Sequence, residues 1–117
     1  MRENIIKDKS YQFALKSIKI YKEIIFEKKE YVLSKQFLRS ATSIGANVEE
    51  GVGGQSKRDF IAKFQISYKE AKETHYWLRL MRDSEIITVE KANILICDVE
   101  EIIRILSAIL KKSKADA

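Results

Sequence analysis

The sequence predicts an all-α protein, an antiparallel up-down-up-down four-helix bundle. The chain of 117 residues has no proline and only four glycines, so little in it interrupts long helices. Apolar residues recur at three- and four-residue spacing in separate segments, each the mark of one buried helix face. The connections between segments are short, which favours antiparallel neighbours. At this length the chain is one domain with its own core, with helices expected over about 8–27, 34–50, 57–83 and 88–113.

In the first segment Tyr11, Ala14, Ile18, Tyr21 and Ile25 form one helical stripe, which Phe13, Ile20 and Ile24 widen. A charged stretch, EKKEY (27–31), leads to a second helix with Ser34 as its expected N-cap and Leu38, Ala41, Gly45 and Val48 along its face. Then comes GVGGQSKR (51–58), with Gly51 suited to the left-handed position that closes a helix. Ser56 followed by Asp59 resembles a capping box and opens the third helix. Its face reads Phe60, Phe64, Ala71, Leu78 and Met81, with Ser67 and Thr74 between them. Thr88 caps the fourth helix, with Glu90 near its N-terminal dipole, and Ala92, Ile96, Val99, Ile103, Leu106 and Leu110 form its stripe.

A second apolar row, Leu95, Ile102, Ile105 and Ile109, lies beside that stripe. A bundle exposes the outer half of each helix, so a face this wide predicts another surface to cover. Self-association is therefore expected, with Phe13, Ile20, Ile24, Leu95, Ile102, Ile105 and Ile109 as interface candidates.

Enzyme chemistry finds little support. GVGGQSKR places Ser56 where a phosphate-binding loop needs glycine and Arg58 where it needs Ser or Thr, and helical spacing rather than a strand precedes it. A di-iron bundle needs Glu-x-x-His pairs, but Lys72 stands three residues before the single histidine, His75. His75 reads as a satisfied, partly buried side chain and Cys97 as a buried, inert thiol. No catalytic residue, cofactor or metal ligand is predicted, and a non-enzymatic role is expected. No apolar run is long enough to span a membrane, and the charged N-terminal segment lacks a signal-peptide core. With one unpaired cysteine, these features lead to an expected cytoplasmic location.

Charge leaves nucleic acid open as a partner. The net charge is +5, and KKSK (111–114) is locally basic without acidic relief. Tyr68, Tyr76 and Trp77 lie among Lys63, Lys69, Lys72, Arg79 and Arg82, but Glu70, Glu73 and Asp83 are intermingled with them, which favours helix-surface ion pairs. The candidate phosphate contacts are Arg39, Lys57, Arg58, Lys63, Arg79, Arg82, Arg104, Lys111 and Lys112.

The run FLRSATSIGANVEEG, followed by QSKRDFIAKFQISYKEAKETHYWLRLM, resembles the bacterial four-helix bundle family encoded in intervening sequences of large-subunit ribosomal RNA genes. It is similar also to the accessory variability determinant proteins of diversity-generating retroelements. The matching positions are Ser43, Ala46, Asn47, Glu50, Gly51, Ser56, Lys57, Asp59 and Phe60; Gly45 stands where members often carry proline. The resemblance implies a non-catalytic homopentamer, with Asn47 and Glu50 in structural roles near the end of helix two. In the retroelement branch it implies binding to nucleic acid and to a partner reverse transcriptase. The leading expectation is a homo-oligomeric scaffold for RNA or DNA, with a protein partner. The alternative is a protein-interaction or structural oligomer without nucleic acid.

Overall fold

The computed structural model describes residues 2–116, with side chains from Asn4 to Asp116. Four helices form it: α1 (Arg2–Glu27), α2 (Leu33–Val52), α3 (Lys57–Asp83) and α4 (Val89–Ala115). Each packs on two neighbours, in the ring order α1, α2, α3, α4 and back to α1. The short connections turn every helix back along the one before it, giving the antiparallel bundle the sequence predicts, 47 × 20 × 20 Å in extent.

Two helix starts match expectation. Ser56 Oγ accepts from the Asp59 N–H at 3.1 Å, and Thr88 Oγ1 accepts from the Lys91 N–H at 3.2 Å. The start of α2 differs. Ser34 is buried inside the first turn, and its hydroxyl donates to the Glu30 carbonyl at 2.6 Å. The capping group is the Glu30 carboxylate, which accepts from the N–H groups of Val32, Leu33 and Ser34 at 2.8, 2.9 and 2.8 Å. A side chain long enough to fold back satisfies three of the four orphan donors at once. Partial burial pushes the Glu30 carboxyl up, but the three backbone bonds outweigh it and hold the group below the usual glutamate range.

Gly51 also plays a different part from the one expected. No described glycine has positive φ, and α2 continues helically through Gly51 to Val52. Gly51 is buried where α2 meets α3; a Cβ there would stand 2.7 Å from Phe64 Cδ1 and 2.8 Å from Cε1. Phe64 cannot give way, because it is fully buried and stacked on Phe60 at 4.2 Å between ring centroids. Gly45 serves the α1–α2 crossing more loosely, a Cβ falling 3.3 Å from Ser10 Oγ. Buried hydroxyls add to the α2–α3 seam: Ser67 Oγ donates to the Ile44 carbonyl and Thr74 Oγ1 to Ser40 Oγ, both at 2.8 Å.

The two apolar rows of α1 exchange places. The inward row is Ile6, Ser10, Phe13, Ser17, Ile20 and Ile24. It begins earlier than the predicted helix start, so α1 runs from Arg2 rather than from about residue 8. The predicted core stripe lies on the outer flank, where Tyr11 is 58% exposed and Ala14, Ile18, Tyr21 and Ile25 are half-buried outside the core cluster. Ser10 and Ser17 cause the error, since they make the true core row look the less hydrophobic of the two.

The interface candidates change accordingly. Phe13 (2% exposed), Ile24, Leu95, Ile102 (1%) and Ile109 are buried in the core of the single chain, and Ile20 and Ile105 pack against it. α1 and α4 each pack on two neighbouring helices, so they need broader apolar faces than one stripe provides. None of the fully buried side chains remains for a second subunit. Cys97 is a further correction, because its thiol is exposed on the outer side of α4 rather than buried.

Gly51→Ala gains about 1 kcal/mol of helix propensity, but the clash with the Phe64 ring costs about 1–3 kcal/mol. A net loss is expected in urea denaturation, whereas Gly53→Ala, whose Cβ would meet only ordinary contacts, stays near neutral. A Gly51→Ala protein as stable as the parent contradicts the close approach.

Because folding lowers the Glu30 pKa, its contribution is fully present above the unfolded value and is lost as pH falls through the folded one. Glu30→Gln is therefore expected to cost about 1 kcal/mol at neutral pH. The deficit should shrink as the medium is acidified below the ordinary glutamate range. A pH-independent deficit would remove the capping account.

Candidate nucleic-acid and self-association surfaces

The sequence mixes acids and bases along α3, but the helix sorts them onto opposite flanks. Glu70 and Glu73 point toward α2 and both pair with Arg39, Glu70 at 3.3 Å. Burial tends to lower the Arg39 pKa, and the two carboxylates more than reverse it, so the guanidinium is held charged. Trp77 Nε1 also donates to Glu73, at 3.0 Å. Lys63, farther along the same seam, pairs with Glu50 at 3.1 Å. Arg39 and Lys63 are thus engaged by carboxylates, away from the basic flank. Asn47 donates to the Ser43 carbonyl at 2.8 Å within its own helix, not across the loop.

The flank of α3 facing α4 carries the cations. His75 Nε2 lies 3.0 Å from the Glu100 carboxylate, and Arg82 Nη1 donates to Asn93 Oδ1 at 3.2 Å, tying the two helices together. Residues one turn from these share the flank, which adds Lys72 and Arg79 from α3 and Arg104 from α4. Lys72 Nζ stands 5.9 Å from the Tyr68 ring centroid, and the Arg79 guanidinium 5.8 Å from that of Tyr76. Toward the α3 N-terminus the helices part into a groove of about 600 Å³, lined by Lys69 and Tyr68 from one side and Leu110, Lys111 and Lys114 from the other.

Three acids share this face: Glu100 lies beside His75, Asp83 pairs with Arg82 Nε at 2.9 Å, and Glu90 is exposed one turn before Asn93. The hydrogen bond from Arg82, helped by its charge, holds the Asp83 carboxyl below its ordinary range. The remaining cations have no carboxylate within pairing distance among the described residues.

The predicted phosphate contacts therefore divide. Arg79, Arg82, Arg104 and Lys111 come together on the α3–α4 face. Lys57 and Arg58 are exposed at the same end, in the first turn of α3. Lys112 is exposed but turned about 100° from Lys111 around α4. Lys69, Lys72 and Lys114 join the face without having been among the candidates. Their signal was present in the aromatic–basic cluster and in KKSK, but was obscured by Glu70 and Glu73, which belong to the other flank.

The opposite side, formed by α1 and α2, carries an apolar stripe among charged residues, with Lys7 and Glu49 paired across the seam at 3.8 Å. Tyr11, Leu15 (46% exposed), Ile18, Tyr21 and Ile25 run along α1. A shallow groove beside them, between α1 and α2, has small residues such as Ser10, Ala14, Gly45 and Ala46 in its middle and the charged Lys7 and Glu49 at one end. The α1–α4 seam is edged with more ion pairs: Lys9–Glu101 at 3.2 Å, Lys16–Asp98 at 2.9 Å and Glu23–Lys91 at 2.7 Å. Each such surface pair adds little stability, about 0–1 kcal/mol.

No helix of the described residues is long and apolar enough to cross a membrane. No group of three or more His, Cys, Asp or Glu among them is placed to hold a metal ion.

No curated protein matches this chain. Among solved structures, a protein of unknown function from the S23 ribosomal protein family of Bacteroides thetaiotaomicron VPI-5482 is similar, with a TM-score of 0.92 and 48% identity. That likeness covers 95% of this chain and 99% of the other. The family model described as 23S rRNA-intervening sequence protein matches residues 2–108, nearly the whole bundle. The chain belongs to the 23S rRNA-intervening sequence protein family.

Proposed function

We propose that the protein is a non-enzymatic, homo-oligomeric scaffold that binds nucleic acid on its α3–α4 face and buries its α1–α2 face between subunits. The observation that carries this reading is the division of the bundle into a basic side and an apolar side. Phosphates neutralise a face where cations outnumber available carboxylates, and the counterions they displace drive binding. The apolar stripe from Tyr11 to Ile25 is a surface that a second copy can cover. A ring built this way turns its basic faces outward. Five subunits, a cytoplasmic location and a protein partner such as a reverse transcriptase come from the family resemblance and the sequence, and are part of the proposal.

Native mass spectrometry tests the assembly. The parent chain is expected as a pentamer at micromolar concentration. Ile18→Glu, on the outer stripe, should release folded monomers with helicity retained. Ile102→Glu should unfold the chain, because it places a charge in the core. A monomeric parent, or an Ile18→Glu protein that stays assembled, refutes the α1–α2 interface.

For the basic face, the measurement is affinity for RNA and DNA across a salt series. Affinity should fall steeply as salt rises. The double variant Lys111→Glu, Lys114→Glu should lose at least about tenfold at low salt and show a shallower salt slope. Lys63→Ala, on the other seam, should bind like the parent. Failure of the parent to bind either nucleic acid at low salt favours the alternative, an interaction or structural oligomer.

A further inference from the structure

Building on the nucleic-acid reading, we infer that the groove between α3 and α4 takes an unpaired strand rather than a duplex. A base seats on Tyr68 and Leu110, and the flanking phosphates lie on Lys69, Lys111 and Lys114.

The walls of the groove are chemically divided. Its floor is apolar and aromatic, formed by Leu110, which is buried, and by Tyr68, which packs against the core with part of its ring open to solvent. Its rim is cationic, and no acidic residue lines it. Gln65 and Ser107 complete the lining and supply both donors and acceptors at the height of a base edge. A purely electrostatic site needs no such floor. An aromatic surface beneath a ring of lysines suits a ligand that alternates flat apolar groups with anions, which is what an unpaired polynucleotide presents.

Shape argues the same way. A duplex hides its base faces, so the open part of the Tyr68 ring would be left uncovered beneath it. A helix reads a duplex by entering the major groove, about 12 Å wide. Here α3 is flanked by α2 and α4, and α4 by α3 and α1, so neither projects far enough to enter. The open groove of about 600 Å³ above the α3–α4 seam offers room for a strand lying on the surface. Lys72 does not close the site. Its ammonium group, 5.9 Å from the Tyr68 centroid, is at the outer limit of a cation–π contact and is free to move to a phosphate. Farther along the same face, Tyr76 with Arg79 repeats the pairing of ring and cation.

The test uses the intact oligomer at low salt and a labelled strand of about 12 nucleotides, within the range of known single-strand sites. RNA and DNA of one sequence are each supplied unpaired and annealed to a complement. The unpaired strands should bind at least about tenfold more tightly than the duplexes. Unpaired RNA and unpaired DNA should both show this preference over their duplexes, since base and phosphate are common to both.

Tyr68→Leu keeps the apolar floor but removes the stacking surface. It should lower affinity for the unpaired strand about tenfold, leaving duplex binding and the salt slope unchanged. Tyr68→Trp should keep the affinity, and its added emission should be quenched by the bound strand. This second readout stands even if the leucine variant folds poorly. Duplexes that bind as tightly as single strands, or an unquenched tryptophan, overturn the inference while leaving the basic face as a nucleic-acid surface. No binding by any of the four ligands overturns both.

Discussion

The close approach of α2 and α3 is the constraint from which the rest of the molecule follows. Gly51 lets the backbone of α2 come against the rigid Phe60–Phe64 stack. Farther along, the Ser67–Ile44 and Thr74–Ser40 hydrogen bonds close the seam with buried hydroxyls rather than bulky side chains. Small residues at these points fix the rotation of α3 about its own axis, since turning it would drive larger side chains into α2. That rotation decides which flank each charged residue occupies. Glu70 and Glu73 fall beside Arg39, and Lys69, Lys72 and Arg79 are left facing α4. The basic face is thus a consequence of packing, because a sequence that interleaves both signs of charge acquires a polarised surface only when one register is enforced.

The architecture was legible from the sequence because it depends on features that local chemistry signals strongly. The caps at Ser56 and Thr88 match, as does the α4 stripe from Ala92 to Leu110, of which Ile103 alone is only partly buried. What failed was orientation. Periodicity showed that α1 has two apolar rows but not which one faces inward, and Ser10 and Ser17 made the buried row look like the poorer choice. Ser10 lies there because Gly45 brings α2 too near for a larger residue, a fact about another helix that α1 does not reveal. The Glu30 cap was missed for a similar reason, since its carboxylate acts two to four residues ahead of its own position. On the site, single cations such as Arg79 and Arg104 could be named from the sequence, but their grouping with Lys69, Lys72 and Lys114 needed the helix register.

The two surfaces have a joint consequence. An apolar side that is covered by neighbours leaves the basic side exposed, so assembly would arrange several copies of the α3–α4 groove around one particle. On the proposed function, a strand long enough to reach a second groove would then bind intramolecularly, at an effective concentration set by the spacing between subunits. Weak individual contacts, each sensitive to salt, would add up to retention without any one site being tight or sequence-specific. In that reading the groove and the apolar stripe on its far side would act together: the stripe would hold the assembly, and the assembly would gather modest sites into one row.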